Sequence, residues 1–523
     1  MSWRGQIRAG ATPVDTEVTR QALTWIAAFL GLRLISAGWL GLGVDESYSL
    51  AIARHLQLSY FDHPPLHQWI IHLFGGVLGY GRAARAPFVL LFAGSSWLLF
   101  TLTRRLFGSA AALWSVIAIN LAGFFSVAAG GWILPDGPLI FCLLAAANRL
   151  APLLTLPDAP PAGPLAVHNI SWPLAGVWIG LAGLSKYQAV LFALGVALLL
   201  LTTPQGRSQL RRPGPYIAAV LAMAIVSPVI VWNAKHGWVS FLFQGGRASP
   251  THDLRPMAIL TAALGQMALL LPWVHAPAVA AMWPQTPRDW TDTRRAFCLA
   301  LSLPGIVLFT VTPLWGQNAL PHWSMPAWLF VMPLLGDRLA RAAAIRRWPR
   351  RWVMLASGAL LSLWGLLLIE ASTGALGRLW PTTFPKGDPS VELVEWTPIV
   401  KALQALPEYH DRNAFIVSPK WMEAGKIGQA TSGEHPIVVA SADPRGFAYG
   451  RDLDMLVGHN GLVILRDRDL TAGLSKLRPC FAGLTPLKAV QFGRFDYPEQ
   501  HLTILSAQHL RRSCSLILGP AAR

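Results

Sequence analysis

The sequence predicts an α-helical polytopic membrane protein with a small α/β extracytoplasmic domain at its C-terminal end. Three observations predict it. Of 523 residues, 53% are hydrophobic and only 13% charged, with a mean hydropathy of +0.43. That is about half the roughly 25% charge of an ordinary soluble domain. Apolar runs recur at the length needed to cross about 30 Å of hydrocarbon. After about residue 371 no run could cross a bilayer, and charged residues become frequent. A disordered chain is excluded, and a large soluble enzyme does not fit.

The first apolar run, 21–41, has no small-residue cleavage site and is long enough to span. It reads as a retained signal anchor. The next runs are 86–103, 110–128, 133–150, 170–185, 187–203, 215–232, 257–283, 296–315, 321–336 and 352–370, about eleven spans in all. The run ending at Ser185 is short, 321–336 is short and Pro-broken, and 257–283 is long enough to tilt. A Pro-rich connector occupies 153–169, and no internal repeat or low-complexity tract is visible.

Lys and Arg number 43 against 26 Asp and Glu, a net charge of +17. Their distribution points to topology and not to nucleic acid, because short cytoplasmic loops collect basic residues. With the N-terminus inside, eighteen arginines of the spanning region, including Arg104, Arg105, Arg294, Arg295 and Arg346–Arg351, fall on cytoplasmic segments. Seven basic residues fall outside: Arg54, Arg82, Arg85, Lys186, Lys235, Arg247 and Arg255. Arg33 stays within the first helix. The expected protein is a multi-pass resident of the bacterial cytoplasmic (inner) membrane, N-terminus cytoplasmic and C-terminal domain outside.

Residues 1–370 then form the membrane module, with a long first outer loop at 42–85, and 371–523 form the extracytoplasmic domain. In that tail β-like runs at Ala414–Ser418, Pro436–Ala440 and Gly461–Leu465 alternate with helical patterns near 391–405 and 420–430. Cys142 and Cys298 lie in spans and read as apolar packing. Cys480 and Cys514 share the oxidising side, where a disulfide is permitted but not fixed by spacing.

Few carboxylates occur before residue 370, and topology sorts them. Asp45, Glu46, Asp62 and Asp136 all fall at loop–helix junctions on the outer face. The loop 42–85 carries two amphipathic stretches, about 46–58 and 65–79, which would lie along the interface as a shelf at headgroup level. Asp45 can serve as a general base if burial or a neighbouring acid tunes its pKa. It can equally cap the first interfacial helix. In Tyr60-Phe61-Asp62-His63-Pro64-Pro65-Leu66 the prolines fix a turn and start the next helix. His63 and His67 share an i, i+4 face, but nothing else gives zinc-like spacing, so interfacial histidines are the simpler reading. Asp136, in Pro135-Asp136-Gly137-Pro138, opens the fourth span, where the helix dipole favours it and a cap is the simplest reading.

Lys186, in Ser185-Lys186-Tyr187, either snorkels or binds an anion, and Arg247 could join it on a lipid phosphate. The aromatic run 238–244 and the run His322-Trp323-Ser324-Met325-Pro326-Ala327 read as interfacial belts, with Trp323 also able to stack on a sugar.

Taken in order along the chain, these motifs resemble those of polyprenyl-phosphate-sugar-dependent glycosyltransferases, the family of bacterial aminoarabinose transferases and protein O-mannosyltransferases with the GT-C fold. Asp45-Glu46 through Tyr60-Phe61-Asp62-His63-Pro64-Pro65-Leu66 is similar to their first-loop signature. Pro135-Asp136-Gly137-Pro138-Leu139, Leu184-Ser185-Lys186-Tyr187 and His322–Ala327 are similar to later elements. The resemblance covers about residues 20–370.

It implies that Asp45 is the catalytic base, with Glu46 and Asp136 as supporting acids. Lys186 and Arg247 would bind the donor phosphate, and Tyr60, Asp62, His63, Tyr187, His322 and Trp323 would line the substrate. Partners would be a polyprenyl-phosphate-linked sugar, such as one on undecaprenyl phosphate, an envelope glycan, lipid or protein acceptor, and membrane lipids. No cofactor is required by the sequence, and a divalent cation is left open. His63 stands where lipid A-active members carry Lys, and Ser324 replaces their usual Pro. A lipid-linked sugar is already activated, which agrees with the absence of a Gly-rich phosphate loop. A transporter or flippase would instead need an inverted repeat or essential charges at mid-membrane, and a non-catalytic scaffold would tolerate Asp45→Asn.

Overall fold

A chain segment without water to bond must close its backbone hydrogen bonds internally, and the apolar runs therefore fold as helices. The computed structural model describes residues 13–155, 165–246, 254–315, 320–495 and 497–518. Among these residues six helices are long and apolar enough to cross a membrane: Pro13–Trp39 (α1), Arg82–Phe107, Asp136–Leu154, Gly214–Lys235, Thr293–Leu314 and Trp348–Thr373. Two bent pairs bring the number to eight. The other three expected runs form shorter helices: Ile170–Ser185, Ala189–Thr202, and a series of short helical pieces from Pro321 to Ile345. This is a multi-pass membrane protein.

The bent pairs have local causes. Run 257–283 is not one tilted span but Pro256–Leu270 and Pro272–Met282, turned by 113°. Pro272 disfavours helix at the residue before it, and Leu271 sits at φ 69. Run 110–128 breaks after Asn120 and continues through a π-helical turn, Phe124–Ala128, with a bend of 81°.

The chain divides into two compact units, residues 1–35 with 86–362 and residues 36–85 with 363–523. The first outer loop, grouped with the membrane module on sequence grounds, thus clusters with the tail.

In the first unit, small residues let helices approach closely. A Cβ at Gly176, Gly180 or Gly183 on Leu165–Ser185 would strike Ala218, Ile225 or Val226 of Gly214–Lys235 at 2.4–2.7 Å. Such small-residue faces replace the missing hydrophobic drive inside a bilayer. Arg33, 1% exposed, is fully engaged: its Nε donates to the Ser126 carbonyl (2.9 Å), Nη2 donates to Asn120 Oδ1 (2.8 Å), and the guanidinium lies 4.4 Å from the Phe92 ring centroid. The helix break after Asn120 supplies these acceptors.

The second unit holds two short helices, Val44–Ile52 (α2) and Leu66–Leu78 (α3); the second matches the expected stretch 65–79, whereas the expected stretch 46–58 is helical only to Ile52. Its sheet has the order β2-β1-β3-β5-β4, with β1 Phe415–Ser418, β2 Ile437–Val439, β3 Gly461–Arg466, β4 Phe481–Arg494 and β5 Tyr497–Leu510. β1 is parallel to β2 and β3, while β5 is antiparallel to β3 and β4. Side chains alternate between two cores: Phe415, Val417, Val463 and Leu465 on one face, Ile416, Leu462 and Ile464 on the other. Two covered faces explain why β1 and β3 read as unbroken apolar runs.

Cys480 and Cys514 form a disulfide within the first of these cores. Cross-linking across 34 residues restricts the unfolded tail, so Cys480→Ser should destabilise it by about 2–4 kcal/mol. Thermal unfolding with and without reductant reads this, and reductant should affect only the unsubstituted protein.

Candidate active site

In the second unit, α2 begins at Val44, shortly after α1 ends at Trp39. Its N-terminal turn contains both acids, Asp45 and Glu46, and the fold gives them opposite environments. Glu46 is buried and does the capping: its Oε2 accepts from the Gly43 amide at 2.9 Å. It also forms a bidentate pair with Arg85, at 2.7 Å to Nε and 2.5 Å to Nη2. Side-chain exposures of 1% for Arg85 and 3% for Glu46 make this a desolvated ion pair. Arg85 further donates to the carbonyls of Ala37, Leu40 and Gly41, binding the end of α1 to the start of α2.

Asp45 needs no capping role and keeps its carboxylate exposed to solvent. The protein around it nevertheless desolvates it, and the negative charges of Asp62 and Glu392 act in the same direction. Together they hold its pKa above the ordinary aspartate value, with Arg445 pulling the other way. An exposed carboxylate made more basic than usual is what proton abstraction requires.

Asp62 is 5% exposed, and Tyr48 and Arg445 help to hold it. Tyr48 donates its hydroxyl to Asp62 Oδ1 at 3.2 Å, and Arg445 Nη1 lies 3.6 Å from Oδ2. The Gly446 amide donates to the Tyr48 hydroxyl at 2.9 Å. Arg445 adopts φ 51, stacks 4.7 Å from the Trp421 ring centroid and bonds Asp443. A non-glycine residue in the left-handed region is retained only where its surroundings fix it.

The helix Trp421–Ala430 packs directly on α2. A Cβ at Gly425 would sit 2.8 Å from the Tyr48 Cα, so only glycine permits this approach. From the same helix Lys426, buried, donates to the carbonyls of Leu42 and Val394, and burial lowers its pKa to about 8. Arg445, Tyr48, Lys426 and Arg85 were not found from the sequence. Arg445 and Lys426 lie far along the chain, where spacing carries no signal about α2.

The rest of the first-loop signature is placed as follows. Pro64 and Pro65 are buried, and α3 starts at Leu66. Tyr60 is 1% exposed, donates to the His55 carbonyl at 3.0 Å, and burial raises its pKa to about 12. Phe61 stacks on Tyr449, and the half-buried His63 ring meets His67 edge-on with centroids 5.7 Å apart.

In the first unit, Asp136 opens the helix Asp136–Leu154 without a side-chain capping bond. Both of its oxygens instead accept from Lys186 Nζ at 2.9 Å, and both residues are buried. The structure thus brings a predicted acid and a predicted phosphate-binding lysine together. Tyr187 packs on Phe241 with ring centroids 5.4 Å apart, and Trp323 contacts His322 and Phe309. Arg247 lies outside the described residues. Among the described residues no group of three or more His, Cys, Asp or Glu is placed to hold a metal ion.

Residues 62–232 match the family model described as dolichyl-phosphate-mannose-protein mannosyltransferase. The fold resembles ArnT from Cupriavidus metallidurans in the apo state, with a TM-score of 0.63 and 15% identity over 96% of this chain and 100% of that one. The same protein bound to undecaprenyl phosphate matches with a TM-score of 0.63 and 16% identity over 92% of this chain and 97% of that one. No curated protein sequence matches the chain. The chain thus shares its fold with ArnT, and residues 62–232 are similar to a family of sugar transferases.

Proposed function

We propose that this chain moves a sugar from a polyprenyl-phosphate donor to an envelope acceptor, with inversion and with Asp45 as general base. The observation that carries the proposal is the place of Asp45: its side chain is exposed in the first turn of α2 while Glu46 takes the capping role, and the negative charges of Asp62 and Glu392 favour its binding a proton. The ArnT structure bound to undecaprenyl phosphate supports a lipid-phosphate donor.

In the proposed reaction Asp45 takes the proton of an acceptor hydroxyl as its oxygen attacks the anomeric carbon. The bond from that carbon to the phosphate oxygen breaks, and the departing polyprenyl phosphate keeps the electron pair. Lys186, with Arg247, stabilises the charge that develops there, since an ammonium holding Asp136 still has donor capacity for a phosphate oxygen. Glu46 acts as a positioning residue, fixing the turn from which Asp45 projects. A phosphate acceptor would arrive already ionised and would not need the base. The proposed location is the bacterial inner membrane with the N-terminus cytoplasmic and residues 371–523 outside, as the arginine distribution favours.

The pH dependence tests the assignment. Activity should fall as acid protonates Asp45. Removing the charge of Asp62 lowers the Asp45 pKa, so Asp62→Asn should move this acid limb to lower pH. Removing Arg445 raises that pKa, so Arg445→Gln should move the limb to higher pH. An acid limb that ignores both substitutions would assign the base elsewhere.

A further inference from the structure

We propose that the second unit carries a separate binding site for the phosphate headgroup of an anionic membrane phospholipid, in a cavity beside the end of the helix Trp348–Thr373. The cavity measures about 440 Å³. That is the scale of sites for small ligands. None of its lining residues belongs to the Asp45 or Lys186 groups, so the proposal is independent of the transfer reaction.

The cations of the lining identify the ligand class. Several charged groups there already have partners within the protein. Glu499 and Asp388 both face Arg494, at 2.5 and 3.8 Å, and Arg466 pairs with Glu423 at 2.6 Å. Asp467 accepts from the Thr503 hydroxyl at 2.7 Å. Three cations of the lining, Arg378, Lys386 and Arg468, have no carboxylate within ion-pair distance among the described residues. Arg378 is the built element: its guanidinium lies 4.9 Å from the Tyr497 ring centroid, and Nη2 donates to the Arg494 carbonyl. Its Nε is buried with no hydrogen-bond partner. A guanidinium held in place by the protein and two exposed cations beside it offer charged donors to an anion with several oxygens, as a phosphate has.

Position identifies the source of that phosphate. Gly374, which lines the cavity, directly follows the last residue of the spanning helix. The αL conformation of Gly374 (φ 62) turns the chain there, and Arg494 donates to the Glu370 and Ala371 carbonyls that end the helix. The next residues expose Leu379 (67%) and Trp380 (52%), side chains suited to anchoring at a membrane interface. Arg378 is five residues past the end of the spanning helix, and Lys386 and Arg468 line the same cavity as Gly374, so the three cations share a site next to the helix end, where a lipid headgroup is the most concentrated phosphate available.

The test uses purified full-length protein in a neutral detergent, titrated with short-chain phosphatidylglycerol, phosphatidylcholine or inorganic phosphate and followed by native mass spectrometry. Phosphatidylglycerol should bind with defined stoichiometry and phosphatidylcholine should not. Removing one exposed cation should weaken binding about 5-fold, and Lys386→Gln with Arg468→Gln together about 30-fold. Both side chains are exposed, so the double variant should keep the melting temperature of the unsubstituted protein. Asp45→Asn protein should bind the lipid normally, which separates failure of this site from failure of the transfer reading. Equal retention of the two lipids, or unchanged affinity in the double variant, would overturn the site. Binding of inorganic phosphate without preference for the lipid would overturn the lipid as its source.

Discussion

Asp45→Asn should lower sugar transfer by about 10²–10⁴-fold, the usual contribution of a positioned general base. The fold should survive the change, because Asp45 is exposed and the turn at Gly43 is capped by Glu46. Asparagine keeps the shape and removes only the proton acceptor, so the loss should appear in kcat with little change in donor binding. Melting of the variant in detergent should match that of the parent, which separates lost chemistry from lost structure. If an acceptor phosphate were the nucleophile, the loss would be much smaller, so the magnitude itself reports on the acceptor's chemistry.

The largest effect on stability should come from Arg85. Arg85→Ala leaves the Glu46 carboxylate buried without its partner and frees three carbonyls at the junction of α1 and α2. Breaking a buried pair from one side costs about 3–5 kcal/mol. Glu46→Gln should cost less, since an amide preserves most of the contacts and introduces no isolated charge. The double variant should recover part of the Arg85→Ala loss, because no unpaired carboxylate remains. Thermal unfolding in detergent measures all three, and additive losses would show that the two residues do not act as a pair.

The contrast between Asp45 and Glu46 shows what a sequence can and cannot convey. Both acids and their place at the helix start were legible, as were α3 after Pro64-Pro65 and the apolar runs of the membrane helices. Which acid caps and which stays open depends on Arg85, 39 residues away, and no periodicity encodes that pairing. The same holds for Asp62 and Arg445, which meet only after the tail folds. Asp136, read singly as a cap, and Lys186, read as either snorkelling or binding an anion, turn out to be partners, because two charges of opposite sign near a bilayer are best satisfied by each other. Strands β1 to β3 were visible as apolar runs. The long hairpin of β4 and β5 was not, since Pro486, Gly483 and Gly493 interrupt its pattern and the register shifts twice along it.

The most direct measurement compares envelope lipids, glycans and glycoproteins by mass spectrometry in cells that carry the gene, lack it, or carry only the Asp45→Asn form. In the deletion one glycosylated species should lose the mass of a single sugar and the corresponding polyprenyl-phosphate sugar should accumulate, and the Asp45→Asn form should reverse neither change. Full restoration by the Asp45→Asn form, at a protein level equal to that of the parent, would rule out Asp45 as the base.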